Sequence, residues 1–168
     1  MKIRVENYQD YLRISEVNTL AFARENEANL ITEVRNSNFY IPELSLVAEI
    51  DDIVVAHIMF SYIELIGEER LRVLSLAPVA VIPEFQKQGI GSNLIKAGLE
   101  KADAMGEALA IVLGSPSFYN RFGFMSSAIY DIKCPFDVPE DVFMVKIFKN
   151  FQVKYQGEVV YPPAFSRV

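Results

Sequence analysis

The passage from Leu71 to Leu113 constrains the fold more than any other part of the chain. An apolar β segment, Leu71–Ile82, runs into the loop Pro83-Glu84-Phe85-Gln86-Lys87-Gln88-Gly89-Ile90-Gly91. Ile90, Leu94, Ile95, Leu99, Ala102 and Met105 then recur at helical spacing, and Gly106 supplies a natural stop. Ala108–Leu113 reads as a buried strand. A strand–helix–strand passage needs a crossover, which makes its two strands parallel. Pro78 interrupts the first of them; without an N–H it marks an edge, a bulge or a place where neighbours separate.

The flanking segments extend this unit. Lys2–Val5 reads as a short strand, and Asn7 suits the cap of a helix that aligns Tyr11, Ile14, Val17 and Leu20 on one face. A second helix over Glu25–Arg35 turns Leu30, Ile31 and Val34 inward, with Glu25, Glu27 and Glu33 expected nearer water. Leu44–Ile50 and Ile53–Leu65 flank Asp51-Asp52, the two-residue connection of a tight hairpin. With Leu71–Ile82 they make an antiparallel meander that groups Val55, His57, Met59 and Ser61 on one face. Ser115-Pro116 starts a short helix that Gly123 ends. Met125–Ile132 and Val142–Phe148 are expected as closing strands, and Phe151–Tyr161 as a hairpin turning at Gly157. Neither repeat nor linker divides residues 1–168, so one domain is expected.

The whole-chain balance removes several function classes. With 51% hydrophobic residues the chain can build a core and is not expected to be disordered. Its apolar runs fall short of the roughly 18 residues of a membrane span, and Met1-Lys2-Ile3-Arg4-Val5-Glu6 lacks a secretory apolar region. One cysteine, Cys134, and one histidine, His57, leave no disulfide framework and little basis for zinc, so no metal is expected. Sixteen basic against 22 acidic side chains, a formal charge of −6, disfavour nonspecific binding to nucleic acid. A soluble protein of the reducing cytoplasm is the expectation.

The loop carries the chemistry. A helix N-terminus offers N–H groups without intrahelical partners, and glycines let a diphosphate approach the backbone. Taken alone, the same loop serves equally well as a plain connection from strand to helix, and two motifs outside it bear on that choice. A Walker A loop is excluded because Ser92-Asn93 follows Gly91, and the dinucleotide fingerprint because Leu94 stands where its third glycine belongs. Gln86-x-x-Gly89-x-Gly91 after a Pro-interrupted strand resembles the pyrophosphate motif of the GNAT superfamily of N-acetyltransferases. Leu76–Pro83 looks like that family's strand before the loop, and Phe118-Tyr119-Asn120-Arg121-Phe122-Gly123-Phe124 like its downstream Phe-Tyr-x-x-x-Gly-Phe segment. Cys134–Pro139 and Tyr161–Phe165 are similar to an uncharacterised bacterial branch of predicted acetyltransferases.

The resemblance implies a mixed α/β fold, the GNAT acyltransferase fold, with a mostly antiparallel sheet splayed between its fourth and fifth strands and flanked by helices. It implies acetyl-CoA as cosubstrate. Val79, Ala80 and Val81 on the strand and Gln86, Lys87, Gln88, Gly89, Ile90, Gly91 and Ser92 on the loop are the expected cofactor-binding residues. Backbone groups of Val79 and Val81 would pair with the pantetheine arm, and N–H groups from Gln88 through Ser92 would hold the pyrophosphate. Tyr119 matches the family's general acid: a phenol titrating near ~10 stays protonated at neutral pH and donates to a departing thiolate. Ser75 alone occupies the stretch where many members carry Glu or His, so no base is assigned. The expected activity is acetyl transfer to a primary amine of a small molecule, peptide or protein, in a monomer or homodimer. The alternative is a noncatalytic acyl-CoA-binding module of the same fold.

Overall fold

The computed structural model describes residues 1–167. Its strands are β1 (Lys2–Val5), β2 (Ser45–Ile50), β3 (Ile53–Ile66), β4 (Arg70–Val81), β5 (Leu109–Leu113), β6 (Met125–Ser126), β7 (Ile132–Lys133), β8 (Phe143–Ile147) and β9 (Gly157–Val160). Its helices are α1 (Tyr11–Phe22), α2 (Asn26–Arg35), α3 (Ile90–Ala104) and α4 (Pro116–Tyr119). The main sheet runs β1-β2-β3-β4-β5-β8-β6, with β4 and β5 parallel, as the crossover through α3 requires, and its other neighbours antiparallel. None of the described helices is long and apolar enough to cross a membrane.

Local chemistry explains the meander. Asp51 and Asp52 both take positive φ, 51° and 65°, the paired left-handed turn whose twist suits a two-residue hairpin. β3 is longer than β2, so the far end of β3 has a bare edge that β9 covers through Glu64, Leu65 and Ile66. Helices lie on both sheet faces. On one, Gly98 of α3 meets the Phe60 ring where a Cβ would collide, so glycine is needed for the close approach. On the other, Asn18 of α1 touches His57, and Ile14 and Val17 are fully buried.

Two expected elements differ. Met125–Ile132 is not one strand: the Ser127 hydroxyl donates to the Ile132 carbonyl at 2.8 Å, folding residues 127–130 into a 3₁₀ turn between β6 and β7. Nor does the tail form a hairpin, because β9 pairs with β3 and β7 instead of with its own neighbour in sequence. His57 is wholly buried on the face of β3 that meets α1.

A buried polar network fastens the N-terminal helices to the sheet. Arg35 of α2 grips Glu6 with two bonds of 3.0 and 2.8 Å, Tyr40 donates to Glu6 at 2.6 Å, and Ser45 of β2 donates at 2.5 Å. His57 Nε2–H then donates to Ser45 Oγ at 3.0 Å, and Nδ1 accepts from Asn18 at 3.3 Å. Burial alone would raise the Glu6 carboxyl, but the neighbouring His57 and hydrogen bonds from Arg35, Ser45 and Tyr40 outweigh it and hold its pKa well below the carboxylate range. Burial lowers His57, outweighing the neighbouring Glu6, so the imidazole is neutral at pH 7. The 3.6 Å approach of His57 to Glu6 is therefore a contact bridged by Ser45, not an ion pair.

Removing one member leaves buried charge unpaired. Glu6→Ala is expected to lower the urea-unfolding free energy by about 3–5 kcal/mol. Glu16→Ala, which cuts the exposed Arg13–Glu16 pair, should cost less than about 1 kcal/mol. Both shifted groups act in one direction with pH. The folded state resists protonating either, so stability falls below pH 6.5 through His57 and further below pH 4.5 through Glu6, their ordinary values. A Glu6→Ala protein as stable as the parent at pH 7 would contradict this account.

Candidate active site

The site begins where β4 and β5 stop pairing. Their ladder consists of Leu74 opposite Ala110 and Ser75 opposite Ile111. Just beyond, β4 spends two residues, Ala77 and Pro78, opposite Met59 of β3. Proline has no N–H for a ladder, so the break falls where the backbone can tolerate it. Past the bulge, Ile82 N–H donates to the Val55 carbonyl at 3.0 Å, which puts even-numbered backbone groups toward β3. By alternation, those of Val79 and Val81 point to the open side.

The loop after β4 ends in a helix start with no side-chain cap. Gly89 takes φ 84°, a region that favours glycine, and the first intrahelical bond runs from Asn93 N–H to the Gly89 carbonyl at 3.0 Å. The N–H groups of Gly89, Ile90, Gly91 and Ser92 thus lack acceptors within α3. They border a cavity of about 570 Å³ lined by Val81, Phe85, Gln86, Lys87, Gly89, Ile90, Gly91, Ser92, Ser117, Phe118 and Arg121. Helix dipole and free N–H groups make this an anion site, with Lys87 and Arg121 adding positive charge.

Not every residue expected here faces the cavity. Gln86 lines it but also folds back, Nε2 donating to the Val81 carbonyl at 2.9 Å, and so clasps loop to strand. Gln88 is exposed, its side chain directed toward the Glu84 carbonyl at 3.5 Å. Ala80 is buried opposite His57, so its side chain points away from α3. Arg121 was missed from the sequence. Its guanidinium donates to Ser92 Oγ at 2.9 Å and lies 4.7 Å from the Phe118 ring centre and 5.0 Å from that of Phe122. Its place two residues after Tyr119 in the aromatic segment was the available signal.

A second cavity, about 330 Å³, opens at the splay itself. Phe22, Glu27 and Leu30 come from the helical pair, Leu76, Ala77, Pro78 and Val79 from the bulged strand, Val112 and Leu113 from β5, and Tyr119 from α4. Val79 and Tyr119 are thereby brought together, while the loop residues line the first cavity. Tyr119 is held by edge contacts with Phe118 at 4.9 Å and Phe124 at 5.7 Å. Burial raises its pKa above the ordinary phenol value, so it keeps its proton at neutral pH. Glu27 corrects an expectation: it is 3% exposed, not solvated, and its carboxylate is gripped by Arg24. Phe136 stacks on Tyr161 at 5.3 Å and lines a different cavity, so the Phe136–Asp141 loop contributes no lining residue here.

Comparison with known proteins fits this architecture. An acetyltransferase (GNAT) domain model matches residues 2–126. The uncharacterised N-acetyltransferase YhbS of Escherichia coli K12 is 34% identical over 99% of both chains. YjhQ of the same strain, also named an uncharacterised N-acetyltransferase, is 35% identical over 82% of this chain and 77% of its own. The crystal structure of E. coli YhbS in complex with CoA superposes with TM-score 0.90, at 31% identity, covering 99% of this chain and 92% of that one. A Brucella melitensis GNAT acetyltransferase in complex with acetyl-CoA gives 0.80 at 32% identity, covering 98% and 97%.

The Tyr119 ring depends on Gly114, where a Cβ would stand 2.5 Å from the ring's Cε2. Gly114→Ala is expected to displace the ring and cost about 1–3 kcal/mol by overpacking. Urea unfolding together with the tyrosine near-UV dichroism would read both effects. Unchanged values for both would show that the ring is not held by this contact.

Proposed function

Because the chain belongs to the GNAT acetyltransferase family, we propose that it transfers an acetyl group from acetyl-CoA to a primary amine by direct attack in a ternary complex. The observation that carries this reading is the adjacency of an uncapped, glycine-opened helix start and a strand that has parted from β5 beside Tyr119. The relatives with bound CoA and acetyl-CoA support the choice of cosubstrate.

Each residue has a definite task in this reading. N–H groups from Gln88 to Ser92 receive the pyrophosphate, with Lys87 and Arg121 neutralising charge at the mouth. Val79 and Val81 pair with the pantetheine amides as a missing strand would, which delivers the thioester to the splay. Val79 N–H donates to the acetyl oxygen as negative charge develops there. The neutral amine attacks the acetyl carbon; the N–C bond forms and the C–S bond breaks. Tyr119 gives its proton to the leaving sulfur, and the amine surrenders one to solvent. Alignment of amine and thioester in a shared cavity supplies much of the acceleration.

Acetyl-CoA at 100 times its dissociation constant should stabilise the protein by about 2.7 kcal/mol in thermal unfolding. No stabilisation by any CoA ester would remove the proposal. Tyr119→Phe should cut thiol release in the presence of an amine by roughly 10²–10⁴-fold while leaving cosubstrate affinity intact. Arg121→Gln should do the reverse, weakening affinity about tenfold with turnover at saturation little changed. Since the raised phenol stays protonated past pH 10, the parent should show no Tyr119-dependent loss of turnover below that pH.

A further inference from the structure

The splay cavity holds one feature that acetyl transfer does not by itself explain. Its lining is apolar through Phe22, Leu30, Leu76, Val79, Val112 and Leu113, yet a carboxylate is built into it. The Glu27 side chain is only 4% exposed. A carboxylate so far out of water must be matched by a cation. Its partner, Arg24, belongs to the short turn between α1 and α2, which opens at Ala23 in the left-handed region, φ 55°. The guanidinium takes both carboxylate oxygens, Nε bonding Oε1 at 2.9 Å and Nη2 bonding Oε2. Arg24 itself is half in solvent, with 49% of its side chain exposed.

That asymmetry matters. The buried member cannot leave, whereas the exposed member can swing into water at little cost provided another cation replaces it. We infer that Glu27 is the docking carboxylate for the acceptor's ammonium group and that Arg24 is a resident cation which yields to it; the docked ammonium then releases one proton to solvent, and its nitrogen attacks as the neutral amine. This rests on the acetyl-transfer reading and adds to it a class of acceptor. Among the described residues, Glu27 is the sole acidic side chain lining the cavity, and Phe22, Leu30, Leu76, Val112 and Leu113 make most of its wall apolar. The acceptor is therefore a primary amine with one positive charge and an apolar body. A polyamine brings a second ammonium into an apolar wall and is disfavoured.

Thiol release from acetyl-CoA, with hexylamine, phenethylamine and spermidine as acceptors, tests this. The two apolar amines should exceed spermidine in kcat/KM by at least about tenfold. Glu27→Gln should raise KM for hexylamine about 10–100-fold, the loss of one charge-assisted contact, with acetyl-CoA affinity preserved as a check on folding. Arg24→Gln is the discriminating variant. Removing the competing cation should lower KM for hexylamine, whereas a merely structural ion pair would make both substitutions behave alike. Spermidine as the best acceptor, or a KM untouched by Glu27→Gln, overturns the inference while the transferase reading stands. A parent protein that binds acetyl-CoA but acetylates none of the three overturns the acceptor class alone, and one that binds no CoA ester overturns both.

Discussion

Two rungs of parallel ladder, at Leu74–Ala110 and Ser75–Ile111, hold β4 to β5, and everything at the site follows from their ending there. A sheet normally satisfies its backbone by pairing on both sides. β4 retains β3 on one side through the bulge, so it stays rigid, while its other side is left with groups that need a partner. The crossover helix α3 starts just after this opening, with its own unsatisfied N–H groups at the same end. Two deficits of backbone hydrogen bonding, one from a strand and one from a helix, thus lie consecutively along one chain segment. A long molecule with amides at one end and phosphates at the other meets both.

An opened sheet needs compensation elsewhere, and the Glu6 network provides it on the opposite flank. It joins β1, β2, β3 and the C-terminal turn of α2 through one carboxylate with four kinds of donor nearby. Its position is consequential: α2 carries Glu27 and Leu30 at one end and Arg35 at the other. Fixing Arg35 to Glu6 orients the helix whose first turn walls the splay cavity. Among the described residues, Asn18 Oδ1 on α1 and Ser61 Oγ on β3 are buried without protein partners, so the buried polar groups are not uniformly satisfied. The Glu6 cluster, in which the charged groups are matched, is where anchoring is concentrated.

Much of this was legible in the sequence where local patterns decide structure. The period-2 runs flanking Asp51-Asp52, the proline at position 78 and the glycine loop before α3 each act through near neighbours, and each element formed as expected. What escaped was nonlocal. β9 is a strand because the far edge of β3 is bare, a condition invisible in residues 151–161. The Met125–Ile132 segment broke because a serine hydroxyl competed for a backbone carbonyl, and Asp131 took φ 57°. Glu27 is the instructive case. Its charge suggested solvent, yet it stands three, four and seven residues before Leu30, Ile31 and Val34, on the stripe that faces the core. Periodicity, not residue type, held the information.

The two cavities also differ in electrical sense, and the difference gives direction to the site. At the loop, Lys87, Arg121 and the helix start favour anions; at the splay, the sole acidic lining group is Glu27 and the hydroxyl of Tyr119 is protonated. Val79 and Val81, two residues apart on β4, border one cavity each, so a ligand along that strand passes from the cationic region to the acidic one. A phosphate that entered the splay first would meet hydrocarbon and a carboxylate, and an ammonium at the loop would meet like charge. Reversed binding is therefore disfavoured twice over. In the proposed reaction the orientation that remains would bring a thioester and an amine together at Tyr119, whose burial holds the phenol's proton at neutral pH.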